Sequence, residues 1–221
     1  MSSTTQTPTG WPEDIFAPHL APARVQMETE HGETIIIRCA RWHRVASRTD
    51  LAILGRSRGP VLDVGCGPGR HVAALCARGR DALGIDTAAT AVEATQARGA
   101  AATQVSVFEA VPRAGWWGTA LLLDGNIGIG GDVPALLARV RELLEPQGLL
   151  LVETASPAQR SGRALVRIHR EGAVGEWFPW AWVTPAEIVR LAQGVGMVAD
   201  ETWHLGGRWF VQLRRNETGS P

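Results

Sequence analysis

The 221-residue sequence contains no lysine and no tyrosine, so all 22 of its basic residues are arginine. Without lysine there is no P-loop amine to reach nucleotide phosphates and no Schiff-base chemistry. The Tyr/Lys pair on which short-chain dehydrogenases depend is excluded as well. Net charge is also missing, since 22 arginines balance 22 carboxylates and the pI is near 7. Nothing in that balance points to nucleic acid or to an anionic membrane surface. No apolar run reaches the ~18 residues of a membrane span. Residues 1–10 are rich in Ser and Thr instead of forming a basic-then-apolar signal, so a cytoplasmic protein is expected. Three scattered cysteines, Cys39, Cys66 and Cys76, give neither a disulfide framework nor metal-ligand spacing.

What is present concentrates in one stretch. Val61 to Val64 reads as a short buried strand, Gly65, Gly67 and Gly69 make a turn nearly free of side chains, and a helix opens at about Arg70. A backbone without Cβ atoms can turn tightly and lie against a ligand, and a helix N-terminus leaves N–H groups facing outward. Asp86 ends a second strand, Ala82 to Asp86, at the separation from which an acid reaches ribose hydroxyls. The dinucleotide fingerprint G-x-G-x-x-G does not fit, because the third glycine comes one residue early.

With Asp63 two residues ahead of the first glycine, the pattern D-x-G-x-G-x-G resembles the class I S-adenosylmethionine-dependent methyltransferases. The resemblance covers about residues 60–213. It implies an α/β, Rossmann-like class I methyltransferase fold, a mostly parallel seven-stranded sheet with helices on both faces. It implies S-adenosylmethionine as cofactor, leaving as S-adenosylhomocysteine. Asp63, Gly65, Cys66, Gly67 and Gly69 would surround its methionine half, and Asp86 and Thr87 its ribose. Ser106 and Val107 would meet the adenine, although Ser106 stands where the family usually has an acid and Glu109 comes three residues later. The apolar run Ala120 to Asp124 reads as a central strand buried on both faces. It delivers Asp124, Gly125 and Asn126 to face the cofactor or the acceptor. The run Asp124-Gly-Asn-Ile-Gly-Ile-Gly-Gly-Asp132 further resembles an actinobacterial-type subgroup, with Asp132 as N-cap of a helix from Val133 to Leu144. The lack of tyrosine removes the Asn-Pro-Pro-Tyr motif of methyltransferases acting on adenine or glutamine amino groups. A metal-assisted mechanism would need an Asp-Asn pair after the fifth strand, where Glu153-Thr154 stands, so no metal is expected.

Four segments are expected along the chain: a flexible lead (1–22), an N-terminal hairpin and helix acting as lid or cap (23–58), the methyltransferase domain (59–215) and a polar tail (216–221). The first hairpin would run from Arg24 to Cys39, turning at His31-Gly32, with a helix from about Ser47 to Leu54. Residues 158–183 read as an acceptor-side insert after the fifth strand, Leu149 to Glu153. Within it Arg163 to Arg170 and Glu176 to Trp182 would pair as a second hairpin. The third strand is expected at Gln104 to Phe108. Thr184 and Glu187 form a capping box, and Met197 to His204 and Arg208 to Leu213 make a final antiparallel pair.

Methyl transfer from a sulfonium is an in-line displacement that needs proximity, alignment and exclusion of water. A base is required only when the acceptor must lose a proton, and His43 and Asp124 are the candidates. Arg41 is expected to pair with the carboxylate of the cofactor. Trp42, Asn126, Trp177 and Trp180 are candidate acceptor contacts, suited to a flat, apolar or cationic molecule. The expected function is methyl transfer to a small molecule, a secondary metabolite by preference, by a monomer or homodimer with no nucleic-acid or membrane partner. The alternatives are an RNA or protein methyltransferase, and a cofactor-binding scaffold, regulator or rearrangement catalyst of the same fold.

Overall fold

A computed structural model describes residues 25–37, 39–170 and 173–216. The strands richest in branched and aromatic residues sit deepest. All four residues of β3 (Val61–Val64) and all six of β6 (Trp117–Leu122) are buried, as a parallel strand covered on both faces requires. With β4 (Ala82–Asp86), β5 (Ala102–Gln104), β7 (Leu144–Thr154), β11 (Met197–Leu205) and β12 (Arg208–Arg215) they form a seven-stranded sheet. Its order is β11-β12-β7-β6-β3-β4-β5, parallel from β7 to β5, with β12 antiparallel to both of its neighbours.

Helices cover both faces. On one, α4 (Val133–Leu143) and α5 (Pro185–Gly194) bury Leu136, Val140 and Ile188 against Trp117 and Leu150. On the other, α1 (Arg48–Leu54) and α2 (Arg70–Cys76) bury Ile53, Val72 and Leu75 around Phe210. Side chains cap the helix starts. Ser47 and Asp50 exchange side-chain and backbone bonds at the start of α1, and Asp132 Oδ1 accepts the Ala135 N–H at α4. At α5 only half of the expected box forms. Thr184 caps the Glu187 N–H, but the Glu187 carboxylate turns to Arg190 at 2.6 Å. The expected third strand also stops short, at Gln104, because a local turn captures the next residues: Glu109 Oε2 accepts the Ser106 N–H and Ser106 Oγ accepts the Phe108 N–H.

The two hairpins meet. β1 (Val25–Thr29) pairs with β2 (Thr34–Ile37), and β8 (Gly162–Arg170) pairs with β10 (Phe178–Trp182) and with the short β9 (Ala173–Val174). β1 then pairs antiparallel with β8, joining segments far apart in sequence into one sheet of order β10-β8-β1-β2. Its inner face, Val25, Met27, Val166, Ile168 and Phe178, packs on Ala88 and Ala91, where α3 (Ala89–Ala97) begins. β10 also docks on the loop after β6, through a bridge between Trp180 and Ile129. That contact explains two glycines of the Asp124–Asp132 run. A Cβ on Gly128 would stand 2.3 Å from the Ala181 carbonyl oxygen and 2.5 Å from the Trp180 indole nitrogen; one on Gly131 would stand 2.8 Å from Pro179. Gly128→Val is therefore expected to displace β10 and destabilise the fold by about 1–3 kcal/mol, the usual cost of overpacking, read as an earlier thermal transition. An unchanged transition would mean β10 does not depend on this contact. Among the described residues no helix is long and apolar enough to cross a membrane.

Candidate active site

The glycine loop leaves β3 with positive φ at Gly65, Gly67 and Gly69 and enters α2 at Arg70. Asp86, at the end of β4, holds it. One carboxylate oxygen accepts the Gly67 N–H at 2.9 Å, and the other accepts the Ala88 N–H at 3.0 Å. Burial raises the Asp86 carboxyl above its ordinary pKa, and these backbone bonds pull against that shift. Asn126 reaches across from the β6 loop, donating to the Val64 and Gly65 carbonyls at 2.8 Å each. Its amide nitrogen thus ties the two loops together. Cys66 is turned inward, its Sγ 3.8 Å from Thr95 and its N–H bonded to Ile85 O, and burial pushes its thiol well up. Asp63 is likewise beneath the loop, 1% exposed and 3.5 Å from His71 Nδ1. Both residues support the loop from below. The Thr87 carbonyl accepts from Gln104, and Val107 is buried. The bond from the Ser106 N–H brings the Glu109 carboxylate back beside Ser106, so an acid does stand at that end of the cleft.

Beside the loop, six segments converge on a cluster of ion pairs. Arg208, at the start of β12, holds Glu153 with two bonds at 2.5 and 2.8 Å and Asp50 of α1 at 2.7 Å. Asp124 has φ +57°, a left-handed conformation that a non-glycine residue rarely adopts. That turn places its carboxylate where Arg70, Arg41 and Arg208 meet it, while its N–H donates to Glu153 Oε2 at 2.6 Å. Burial alone would raise the Asp124 carboxyl, but Arg70, His71 and Arg41 hold it well below the carboxylate range. His71 is fully enclosed between Asp50 and Asp63. Burial pulls its pKa down, the two carboxylates outweigh that, and the net shift is upward.

Between this cluster and β10 lies a cavity of about 290 Å³. Asp124, Glu153 and Thr154 line one side, Arg41 the rim, and Trp180 and Trp182 the wall. Trp182 enters because strand alternation sends Phe178, Trp180 and Trp182 to the same face. The same alternation sends Trp177 outward, where Arg167 covers its ring at 4.5 Å, so it does not reach the cavity. Trp42 packs against the core under the small sheet, and the carbonyl of His43 accepts from Arg98 at 2.7 Å. Neither lines the cavity. Of the residues expected at the acceptor, Trp180 is the one that does; Asp124 and Arg41 join it there.

The model of a methyltransferase domain matches residues 38–201. The chain belongs to that family. A ubiquinone biosynthesis O-methyltransferase from Methylobacterium nodulans is 30% identical over 167 residues, 68% of this chain and 66% of that protein, so the alignment spans just under two thirds of the relative. Among solved structures, a S-adenosylmethionine-dependent methyltransferase from Bacteroides fragilis, in complex with S-adenosylhomocysteine, superposes with a TM-score of 0.78. The match covers 95% of this chain and 94% of that one at 23% identity. A 1,6-didemethyltoxoflavin N1-methyltransferase from Burkholderia thailandensis matches 76% of this chain and 77% of its own, with a TM-score of 0.56 and 19% identity. These structural likenesses speak to the fold.

In this methyltransferase domain the residues that sequence reasoning missed are Asp50, Arg70, Glu153 and Arg208. Each is an ordinary charged residue among 44, and no local spacing links them. Only Arg70 carried a signal, as the first helical residue after the glycine loop.

Proposed function

We propose that this chain transfers a methyl group from S-adenosylmethionine to a small-molecule acceptor, with a secondary metabolite as the class best suited to the cavity. The observation that carries this is position. The glycine loop and Asp86 share one sheet edge with a tryptophan-walled cavity, and Asp124 and Gly125 stand between them. The residues fit the cofactor: Asp86 for the ribose, the Ser106–Glu109 turn and Val107 for the adenine, the loop backbone for the methionine half. The buried Arg70 Nη2 has no hydrogen-bond partner, which suits a carboxylate arriving at the loop. Bound there, S-adenosylmethionine supplies an electrophilic sulfonium methyl. The protein's part is to orient both reactants, and the indoles of β10 keep water out. An open cavity beside Asp124 favours transfer over a cofactor-binding role without chemistry. The Asp124–Asp132 run, with its glycines under β10, supports assignment to the actinobacterial-type subgroup.

Incubation with methyl-labelled S-adenosylmethionine and a metabolite extract, in parallel with total RNA and total protein, tests the reading. Label is expected in the small-molecule fraction. Strong incorporation into RNA or protein would overturn the acceptor class.

A further inference from the structure

The cavity wall narrows the acceptor further, an inference that rests on the methyl-transfer function proposed above. The polar side chains there are already committed. Glu153 is held twice by Arg208 and once by the Asp124 N–H, and Asp124 by three guanidiniums. Thr154 Oγ1 donates to the Trp209 carbonyl and Trp182 Nε1 to the Arg160 carbonyl. No histidine or cysteine is among the described residues lining the cavity. His71 is enclosed between Asp50 and Asp63, His169 is bonded to Glu28 on the outer face of the small sheet, and His204 packs on Trp209. The charge that the wall presents is a cation. The Arg41 side chain is 44% exposed, whereas Asp124, Glu153 and Arg208 are 11%, 13% and 11% exposed.

We propose that the acceptor is a flat aromatic compound with an acidic O–H or ring N–H, and that it reacts as the anion, held between the Trp180 and Trp182 indoles and the Arg41 guanidinium. Its proton goes to water before the chemical step. The anion's lone pair then forms the bond to the methyl carbon as the carbon–sulfur bond breaks, and that bonding pair stays on sulfur. No proton passes through the protein. Arg41 has five N–H donors and can keep Asp124 while facing the anion; Arg70, on the other side of Asp124, serves the cofactor. An aliphatic amine, protonated at neutral pH, would meet a like charge at the rim and no group to deprotonate it.

The test uses the full chain with S-adenosylhomocysteine and substituted nitrophenols, whose anions absorb in the visible. Bound nitrophenol is expected to ionise at least tenfold more readily than free nitrophenol, a downward shift of one pH unit or more. Arg41→Met should remove most of that shift. With S-adenosylmethionine, the inflection in kcat/KM against pH should move with the acceptor across a series of phenols and acidic heterocycles. An inflection fixed whatever the acceptor would reveal a protein base and overturn the proposal. So would a bound dye that titrates like the free one, or preferential methylation of an aliphatic amine series. If no ionised acceptor turns over while S-adenosylhomocysteine still binds, the acceptor class is wrong and the cofactor assignment stands. Loss of that binding would bring down both.

Discussion

Arg208→Met is expected to cost about 3–5 kcal/mol of folding stability, because it takes both short charge-assisted bonds from the buried Glu153 carboxylate and one from Asp50. Arg208 joins Glu153 of β7, Asp50 of α1 and Asp124 of the β6 loop; the Arg41 guanidinium stands 3.8 Å from Glu153, beyond hydrogen-bond reach, and does not replace the two short bonds. In a chain of this size the loss corresponds to a drop in Tm of about 6–20 °C. Pairing Arg208→Met with Glu153→Gln should recover part of it, since the second change removes the charge left without its main partner. Urea unfolding of the two single variants and the double variant measures the coupling. Equal losses that simply add would show that the cluster is not a unit. The pH dependence follows from the same geometry. Burial alone would raise the Asp50 carboxyl, but His71, the Ser47 N–H, Arg70 and Arg208 hold it far below the carboxylate range, and Asp124 behaves alike. A carboxyl whose folded pKa is depressed contributes fully above its unfolded value, near 4, and that contribution is lost as pH falls from there. The wild type should therefore lose stability steeply below about pH 4, and Arg208→Met less steeply.

Gly67→Arg should reduce S-adenosylhomocysteine affinity by more than about 100-fold, which is at least ~2.7 kcal/mol. Gly67 is buried at φ +52°, and its N–H is one of the bonds that fix Asp86. An arginine there meets three penalties. The left-handed backbone is unfavourable for a side chain, the guanidinium fills the space against which the ligand would lie, and a shifted loop releases the acid assigned to the ribose. Isothermal titration calorimetry gives the affinity, and far-UV circular dichroism confirms the fold. Gly67→Ala carries the backbone strain with little of the bulk and should fall between the two. Undiminished binding by Gly67→Arg would remove the glycine loop from the cofactor site.

Some of this was legible because its information is local. Asp63, Gly65, Gly67, Gly69 and Asp86 lie within 24 residues, their spacing set by one strand, one turn and one helix, so the pattern survives without knowledge of any partner. The same holds for the cap at Asp132, which closes over three residues, and for the two hairpins, whose paired residues lie 6–12 and 12–20 positions apart. The tryptophans near β10 stood out by composition; that Trp180 and Trp182 line the cavity while Trp177 points away depends on the phase of the strand, which needed its ends.

What the linear chain could not contain was the company each residue keeps. Arg208 meets Asp50 across 158 positions, and Glu28 of the first hairpin meets Arg167 of the second across 139. Charged side chains carry no address in their own neighbourhood, and with 22 of each sign every pairing looks equally available. Parallel strands decide which of them meet, by delivering β6, β7 and the β3 loop to one edge, where burial leaves carboxylates and guanidiniums only each other as partners. The sequence alone determined the methyltransferase-like core and its glycine loop. Tertiary structure decided that Asn126 is a tie, that the two hairpins are one sheet, and that the carboxylates at the cavity are locked. All three depend on contacts between distant segments, which only the closed fold brings within hydrogen-bond reach.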